Sequence, residues 1–581
     1  MRATLLSLLF AGGCLASFGQ DAAPGTPIPD KGQSLLTEQP GSAPVGAQPR
    51  GTAAACAPAT ALRNLEWNNV RALVENGGSL WYNRSIDKGA YIVPKEAGVS
   101  VVYGGALWLA GISPDQQLKL AAARYRNNGN DFWPGPLTND GAAEVDEATC
   151  SAYDKFSITE RQDAMRHRQY FDCAADPTCD LDTEFPEGYA IPTSFFDYPA
   201  HGNVALQQDY YLAPFYDYDG DGNYDPTLGD YPWYDFLQEI DCGNRRREDR
   251  VPLYGDQTYY WIFNDKGNVH TESLGEPIGM EIRAQSFAFS TNDEINNMTF
   301  CNYVLINQGT QTLTNTYFGS WVDADLGCYN DDYVGCDVQR GLGYCYNGDA
   351  NDENCGANGY GENPPAVGVD FFEGPYQDSD GVDNPLTAGF TDAVDSLGIP
   401  YRGIGIGYGD GVIDNERYGM RKFLYYNWSS GIDGQPSQSV HYYNYMRGFW
   451  KNGQRMAYGG NGITETSGAN LDIAADYMYP GNTDPFSWGT VGQQVEPWTE
   501  QTAGNPAADR RFIQAAGPFT LEPGDFNNIT VGVVWARASA GDPAADRRVS
   551  SWWRLLPHPL SPATPPQAGV ADTQRLTAEH R

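Results

Sequence analysis

Positive charge is scarce in this chain. Lys and Arg number 37 against 74 Asp and Glu, leaving a net charge of −37 and a pI near 4.3 over 581 residues. A surface of that sign repels phosphate backbones and anionic headgroups, which argues against nucleic acid and acidic membranes as partners. Charged residues of either sign make up only 19%, while Gly (66), Tyr (37) and Trp (14) abound. Few Lys and Glu among many aromatics and glycines point to strands and long loops rather than helices. Beyond the first twenty residues no run approaches the ~20 apolar residues of a membrane span. No Cys-x2-Cys occurs, so a thiolate zinc site is disfavoured. The six histidines (His167, His201, His270, His441, His558, His580) form no HExxH or other paired metal spacing. A nucleophile elbow, a P-loop and a dinucleotide fingerprint ahead of a helix are all missing. Two carboxylates would suffice for a glycosidase, but nothing in the order of residues selects the pair.

What is present begins with an export signal. MRATLLSLLFAGGCLASFGQ has one Arg, an apolar run from Ala3 to Phe18 and small residues before Gln20, the pattern of a secretory peptide cleaved after Gly19. The alternative, a lipid anchor on Cys14, lacks the usual Leu three residues earlier. With Cys14 removed, ten cysteines remain. An even count in an exported chain suggests disulfides. Cys173 with Cys179, Cys328 with Cys336, and Cys345 with Cys355 are local candidates, although spacing does not determine connectivity.

The length favours two or three domains. Residues 1–19 read as signal and 20–60 as a disordered leader rich in Pro, Gly, Ala, Ser and Gln. Residues 61–250 read as a smaller α+β region. Residues 251–540 read as an antiparallel β-sandwich carrying a long acidic loop insertion at about 327–416. Residues 541–581 form an irregular tail that turns basic, as a shifted reading frame or a disordered end would. The fold class is therefore mostly β. Within it, Val99, Val101, Leu107 and Leu109 suggest a strand pair broken at Gly104-Gly105. Thr159 to Gln162 has capping-box spacing ahead of a helix reaching about Phe171. QTYYWIFND, IGMEIRAQSFAFST and MTFCNYVLINQGT read as a meander. In it Ile278, Met280, Ile282 and Ala284 share one face, and Arg283 and Gln285 the other. SQSVHYYNYMRGFWKNG reads as a helix with Tyr442, Tyr445, Met446 and Phe449 on one stripe. NNITVGVVWARA is the last strand.

The sharpest local pattern is YDYDGDGNYDPTLGDYP, residues 216–232. Asp217, Asp219, Asp221 and Asp225 stand at positions 1, 3, 5 and 9 of a calcium loop, with Gly222 at the sharp turn and Asn223 offering its carbonyl. Leu228 occupies position 12, where a sensor loop has Glu. Asp230 replaces that ligand if the chain bends back after Pro226. Such a loop is a structural staple rather than a helix-loop-helix switch. A second cluster comprises Asp323, Asp325, Asp331, Asp332 and Asp337. Asp323 and Asp325 alternate at a strand end, which puts both carboxylates on one side. Asp378, Asp380 and Asp383 form a third cluster, and Asp410, Asp414 and Glu416 a fourth, although DG turns need no metal. His201, just ahead of the first loop, reads more simply as a turn or core residue than as a ligand.

Several stretches together carry a resemblance. They are NNVRALVENGGSLWYNR, GGALWLAGIS, ARYRNNGNDFWPGPL, YPAHGN, LAPFYDYDGDGNYDPTLGDYP, WVDADLGCYNDDYVGCD, PPAVGVDFFEGP, GDGVIDNERYGMRKF and GPFTLEPGD. In this order they resemble a family of large exported Bacteroidetes proteins that leave by type IX secretion. The resemblance spans most of residues 62–537. It implies a secreted or surface-displayed protein of β-sandwich modules handled by that secretion machinery, and it implies no known catalytic activity. Members usually end in a C-terminal sorting domain, and this chain shows none.

The expected function is structural or adhesive, outside the cell or on its surface, with Ca2+ held by Asp217, Asp219, Asp221, Asn223, Asp225, Asp230, Asp323 and Asp325. Expected partners are extracellular glycans or surface proteins. The alternative is a polysaccharide-binding module or a glycoside hydrolase working through acidic residues.

Overall fold

The computed structural model describes residues 56–127, 129–237, 251–384, 405–484 and 487–537. The signal peptide, most of the leader and the tail at 541–581 lie outside the described residues. The first strand starts at Leu62, but the end of the expected leader already belongs to the fold, since Cys56 and Ala59 are buried and Cys56 is bonded to Cys150.

Nineteen strands build two large antiparallel sheets. The N-terminal ones are β1 (Leu62–Leu65), β2 (Arg71–Glu75), β3 (Ser79–Leu80), β4 (Tyr91–Ile92), β5 (Ser100–Val102), β6 (Gly104–Ile112), β7 (Leu118–Ala122), β8 (Trp133–Pro134) and β9 (Ser157–Glu160). The middle ones are β10 (Gln257–Asn264), β11 (Met280–Ala288), β12 (Thr299–Asn307), β13 (Leu313–Ala324), β14 (Asp332–Asp337), β15 (Leu342–Asn347) and β16 (Ala366–Glu373). The last are β17 (Lys422–Tyr426), β18 (Arg510–Leu521) and β19 (Phe526–Ala536). The first sheet runs β17-β18-β13-β6-β3-β2-β4-β5, with β1 on β2 and β7 on β6. The second runs β8-β10-β11-β12-β19-β16-β15-β14, with β9 on β10.

The sheets face each other across one apolar core. Trp108, Leu109 and Phe318 from the first meet Trp261, Ile282, Tyr303 and Val369 from the second. Phe318 touches both Tyr303 and Phe371, with centroids 6.0 and 5.8 Å apart. Aromatic pairs of this kind each add ~0.5–1.5 kcal/mol to the burial of their rings. Gly105 on β6 has a packing reason: a Cβ there would stand 2.3 Å from the Trp81 ring.

Strand pairing crosses the sequence division at residue 250. β6 lies directly against β13, with Gly104 opposite Asp323 and Trp108 opposite Gly319. Strands β1 to β7 therefore complete the first sheet, and β8 and β9 join the second on β10. β5 and β6 do not pair with each other: β5 pairs with β4, and β6 with β3, β7 and β13.

Among the described residues, three helices longer than four residues accompany the strands. They are α1 (Glu147–Tyr153), α2 (Arg161–Ala175) and α3 (Ser439–Met446). The helix after Thr159 forms, but its box does not. Thr159 is spent in β9, the N-cap is Glu160, and no side chain caps it. α3 forms and buries Tyr442, Tyr445 and Met446, but it ends before Phe449, and Tyr443 and Asn444 are buried as well, so no single stripe faces the core.

The meander alternates as expected, and Met280, Ile282 and Ala284 enter the inter-sheet core. Its other face is not solvated. Residues of 195–234, with Ala164 of α2, pack on Tyr260 and Ile262, and beneath that layer Glu281 and Gln285 are buried too.

The polar stretch 327–416 is not wholly loop, because β14, β15 and β16 arise within it. Their Val, Tyr and Phe positions are spaced among glycines that hide the strand signal. The cysteines follow from these strands. Cys336 and Cys345 sit on β14 and β15 facing the core and stay free, which corrects both local pairings proposed for them. The disulfides join Cys56–Cys150, Cys173–Cys179 and Cys328–Cys355. Only the second was legible from spacing.

Candidate metal centres

Residues 217–230 form a loop closed by a two-stranded hairpin, Phe215–Tyr216 against Tyr231–Pro232. Its carboxylates are turned inward on the loop's own amides. Asp217 accepts from Gly220 N at 2.8 Å, Asp221 N at 3.2 Å and Gly222 N at 2.8 Å. Positive φ at Gly220 (+76°) and Gly222 (+80°) lets the chain wrap Asp217 in this way. Asp230 is fully buried and accepts from Tyr218 N and Asp225 N, both at 2.7 Å. Burial first, then the charges of Asp217 and Asp219, push its carboxyl upward against those amide bonds.

Of the six predicted residues here, Asp217, Asp219 and Asp230 bring oxygens within 4.8 Å of one another. The other three serve local turns. Asp221 accepts from Asn223 N, Asp225 from the amide and hydroxyl of Thr227, and the Asn223 side chain from the Tyr210 hydroxyl. His201 is a strut: Nδ1 donates to Tyr210 O at 3.1 Å and Nε2 accepts from Tyr224 N at 2.8 Å.

The second centre lies where β13 ends. Asp323 on β13 stands opposite Arg511 on β18. Asp325 continues past the strand, and Asp509 precedes β18. Oxygens of Asp323, Asp325 and Asp509 lie within 4.8 Å of one another. Asp323 is 1% exposed. Its Oδ2 accepts from the Tyr125 hydroxyl and pairs with Arg511 at 3.3 Å. Arg511 also donates to Asp509 at 2.9 Å and to Tyr125 at 2.9 Å. Its guanidinium stacks on Trp428, 4.6 Å from the ring centroid.

Three carboxylates thus share one guanidinium. Asp323 Oδ1 and Asp325 Oδ1 are buried and meet no donor. Two carboxylates at 4.8 Å repel by about 3–4 kcal/mol at an effective dielectric of ~20. Burial raises both groups, Asp325 far above the usual carboxylate range, helped by the charges of Asp323 and Asp509. An all-oxygen set with excess negative charge and orphaned acceptors suits a hard divalent cation.

Sequence reasoning found Asp323 and Asp325 here but missed Asp509, Arg511 and Tyr125. Asp509 carries no local signal, standing in PAADRRF far along the chain from its partners. Asp337, grouped with them by proximity in sequence, instead pairs with Arg340 at 2.7 Å.

The third and fourth clusters form one structure. Asp414 accepts from Asp380 N and Gly381 N, and Asp383 from Gly409 N and Gly411 N. Each loop's carboxylate thereby caps the other's amides. Asp378 leaves the group to hold Thr520.

Among the described residues, no helix is long and apolar enough to cross a membrane. The chain matches no known family model and no curated protein.

Proposed function

We propose that this chain is an exported, extracellular structural or adhesive β-sandwich whose acidic loop ends are closed by Ca2+, with no catalytic step of its own. The carrying observation is the Asp323–Asp325–Asp509 trio with its two donorless oxygens. A cation between β13 and β18 joins adjacent central strands of the first sheet. It therefore stiffens the frame rather than a peripheral turn. The three disulfides and the acidic surface agree with life outside the cell. The export signal and the resemblance to type IX cargo point the same way. The test is thermal unfolding and calorimetric titration of the full chain, with calcium and with chelator. Calcium at a hundredfold over Kd adds about 2.7 kcal/mol. Asp325→Asn and Asp509→Asn should each remove the trio's share of that response. A melting temperature indifferent to chelator in the unsubstituted protein sinks the reading.

A glycan-binding role has one observation in its favour. Trp428 is 61% exposed beside the trio, its ring 6.2 Å from that of Tyr125, and exposed indoles stack on sugar faces. Glycoside hydrolysis fits less well, because oxygens within 4.8 Å are closer than the ~5–9.5 Å separation of catalytic carboxyl pairs. Trp428→Ala should abolish retention on a polysaccharide panel while costing no more stability than the ~0.5–2 kcal/mol of its stacking on Arg511. Equal retention of both proteins removes this reading.

A further inference from the structure

Beyond the β13 trio, a second group of acceptors lies where β14 opens. Asp332 opens β14 and Asn347 closes β15, and the two stand directly opposite in the ladder. Opposed residues project from the same face with Cβ atoms about 5 Å apart. Both are 0% exposed. Asp332 Oδ2 accepts from Leu326 N at 3.0 Å, yet Asp332 Oδ1 and Asn347 Oδ1 meet no donor. Asp331 Oδ1, from the adjoining residue, is orphaned in the same way. Burial, and after it the charges of Asp331, Asp325 and Asp352, raise the Asp332 carboxyl. Asp352, 2% exposed, accepts from Cys328 N and Tyr360 N. Among the described residues, no Lys or Arg forms an ion pair with Asp331, Asp332 or Asp352.

A buried acceptor without a donor costs ~1–3 kcal/mol, and more when it is charged. Asn347 cannot resolve this by taking a proton, since its amide oxygen is neutral. Its lone pair needs a donor or a cation. We infer that Asp332 and Asn347, with Asp331 beside them, form a further Ca2+ site whose ligands are distinct from those of the neighbouring trio at the end of β13. Carboxylate and amide oxygens are hard donors. The burial of Asp332 and Asn347 favours Ca2+ over Mg2+, which keeps several waters. The ion would fasten the start of β14 to the end of β15. The Cys328–Cys355 disulfide closes the same segment from outside. Gly327 belongs to this design: a Cβ there would lie 1.9 Å from Asp352 Oδ2, so only glycine lets the chain pass.

The experiment measures calcium retained after desalting, by plasma emission, in the full-length chain. The background carries Asp217→Asn and Asp509→Asn, which disable the two sites described above. One ion per chain should remain, and Asn347→Val should weaken its binding at least about tenfold. Asn347→Asp, which keeps an oxygen in place, should retain the ion and guards against simple misfolding. If the background binds no calcium, or Asn347→Val binds as tightly as Asn347→Asp, the inference is overturned. The first of these results leaves the trio intact as an explanation for calcium bound by the unsubstituted protein, so the two ideas fail separately.

Discussion

In chelator, this protein should lose stability as pH rises from about 4.5 to about 7, the reverse of ordinary acid denaturation. The reason is its stock of buried carboxyls. Asp352, 2% exposed, is pushed by burial from 3.8 to about 6. Glu416, 4% exposed, is pushed by burial from 4.5 to about 7. Glu500, fully buried, is likewise raised from 4.5 to about 7 despite Arg510 beside it. At about 1.36 kcal/mol per pKa unit, ionising each costs the folded state about 3 kcal/mol.

A raised carboxyl leaves stability intact below its unfolded value near 4. That stability is lost as pH climbs through the folded value. Two histidines oppose the trend, because burial lowers both His167 and His441. Burial holds His167 at about 4 rather than 6.5, which gains about 3 kcal/mol over the same interval. The carboxyls win by about 6 kcal/mol. Unfolding entropy of ~2.1 cal/mol/K per residue over roughly 450 ordered residues is about 0.9 kcal/mol/K, so the melting temperature should fall by about 6 °C. Groups whose hydrogen bonds lower them, such as Asp146 under the Thr149 amide, titrate below this window. Saturating calcium should flatten or invert the slope, because bound carboxylates stay ionised and acid must first expel the ion. Scanning calorimetry in chelator and in calcium reads both arms. A chelated profile that is flat or climbs across the interval would refute the burial argument.

Other expectations concern the scaffold. Arg510 grips Glu500 through two nitrogens at 3.0 and 2.8 Å, both partners buried. Arg510→Met should cost about 3–5 kcal/mol in urea titration, and a loss under 1 kcal/mol would mean the pair is dispensable. Cys56–Cys150 spans 94 residues, so replacing both with Ser should cost roughly 4–5 kcal/mol by chain entropy. A negligible change in urea midpoint contradicts that. Cys301, Cys336 and Cys345 are buried, and burial raises all three thiols. They should resist alkylation until the protein unfolds, as mass spectrometry of labelled peptides will tell.

The fold was legible where chemistry is local. Period-2 alternation through Met280, Ile282 and Ala284 marks β11 because its inner face is apolar. The loop at 217–230 is visible because its carboxylates are contiguous. Strands β14 to β16 were masked by the acidic, glycine-rich turns around them. The burial of Glu281 was unreadable, since it depends on a layer supplied by residues 195–234. Asp509 was invisible for a similar reason: β18 carries it to Asp323 only through the ladder between β13 and β18. Cys336 and Cys345 misled because a cysteine on a core-facing strand behaves as a small apolar residue, whatever its neighbours in sequence.

The closing hairpin has a consequence for how the molecule comes into being. β18 fills the slot between β17 and β13 in one sheet, and β19 fills the slot between β12 and β16 in the other. Only residues 522–525 separate them. During synthesis, then, neither sheet can be completed until β19, which ends at Ala536, has emerged. Until that moment β13, β12 and β16 stand with open edges, vulnerable to pairing with another chain. One late segment locks both halves at once, so the protein matures in a single step and spends its earlier life in need of protection.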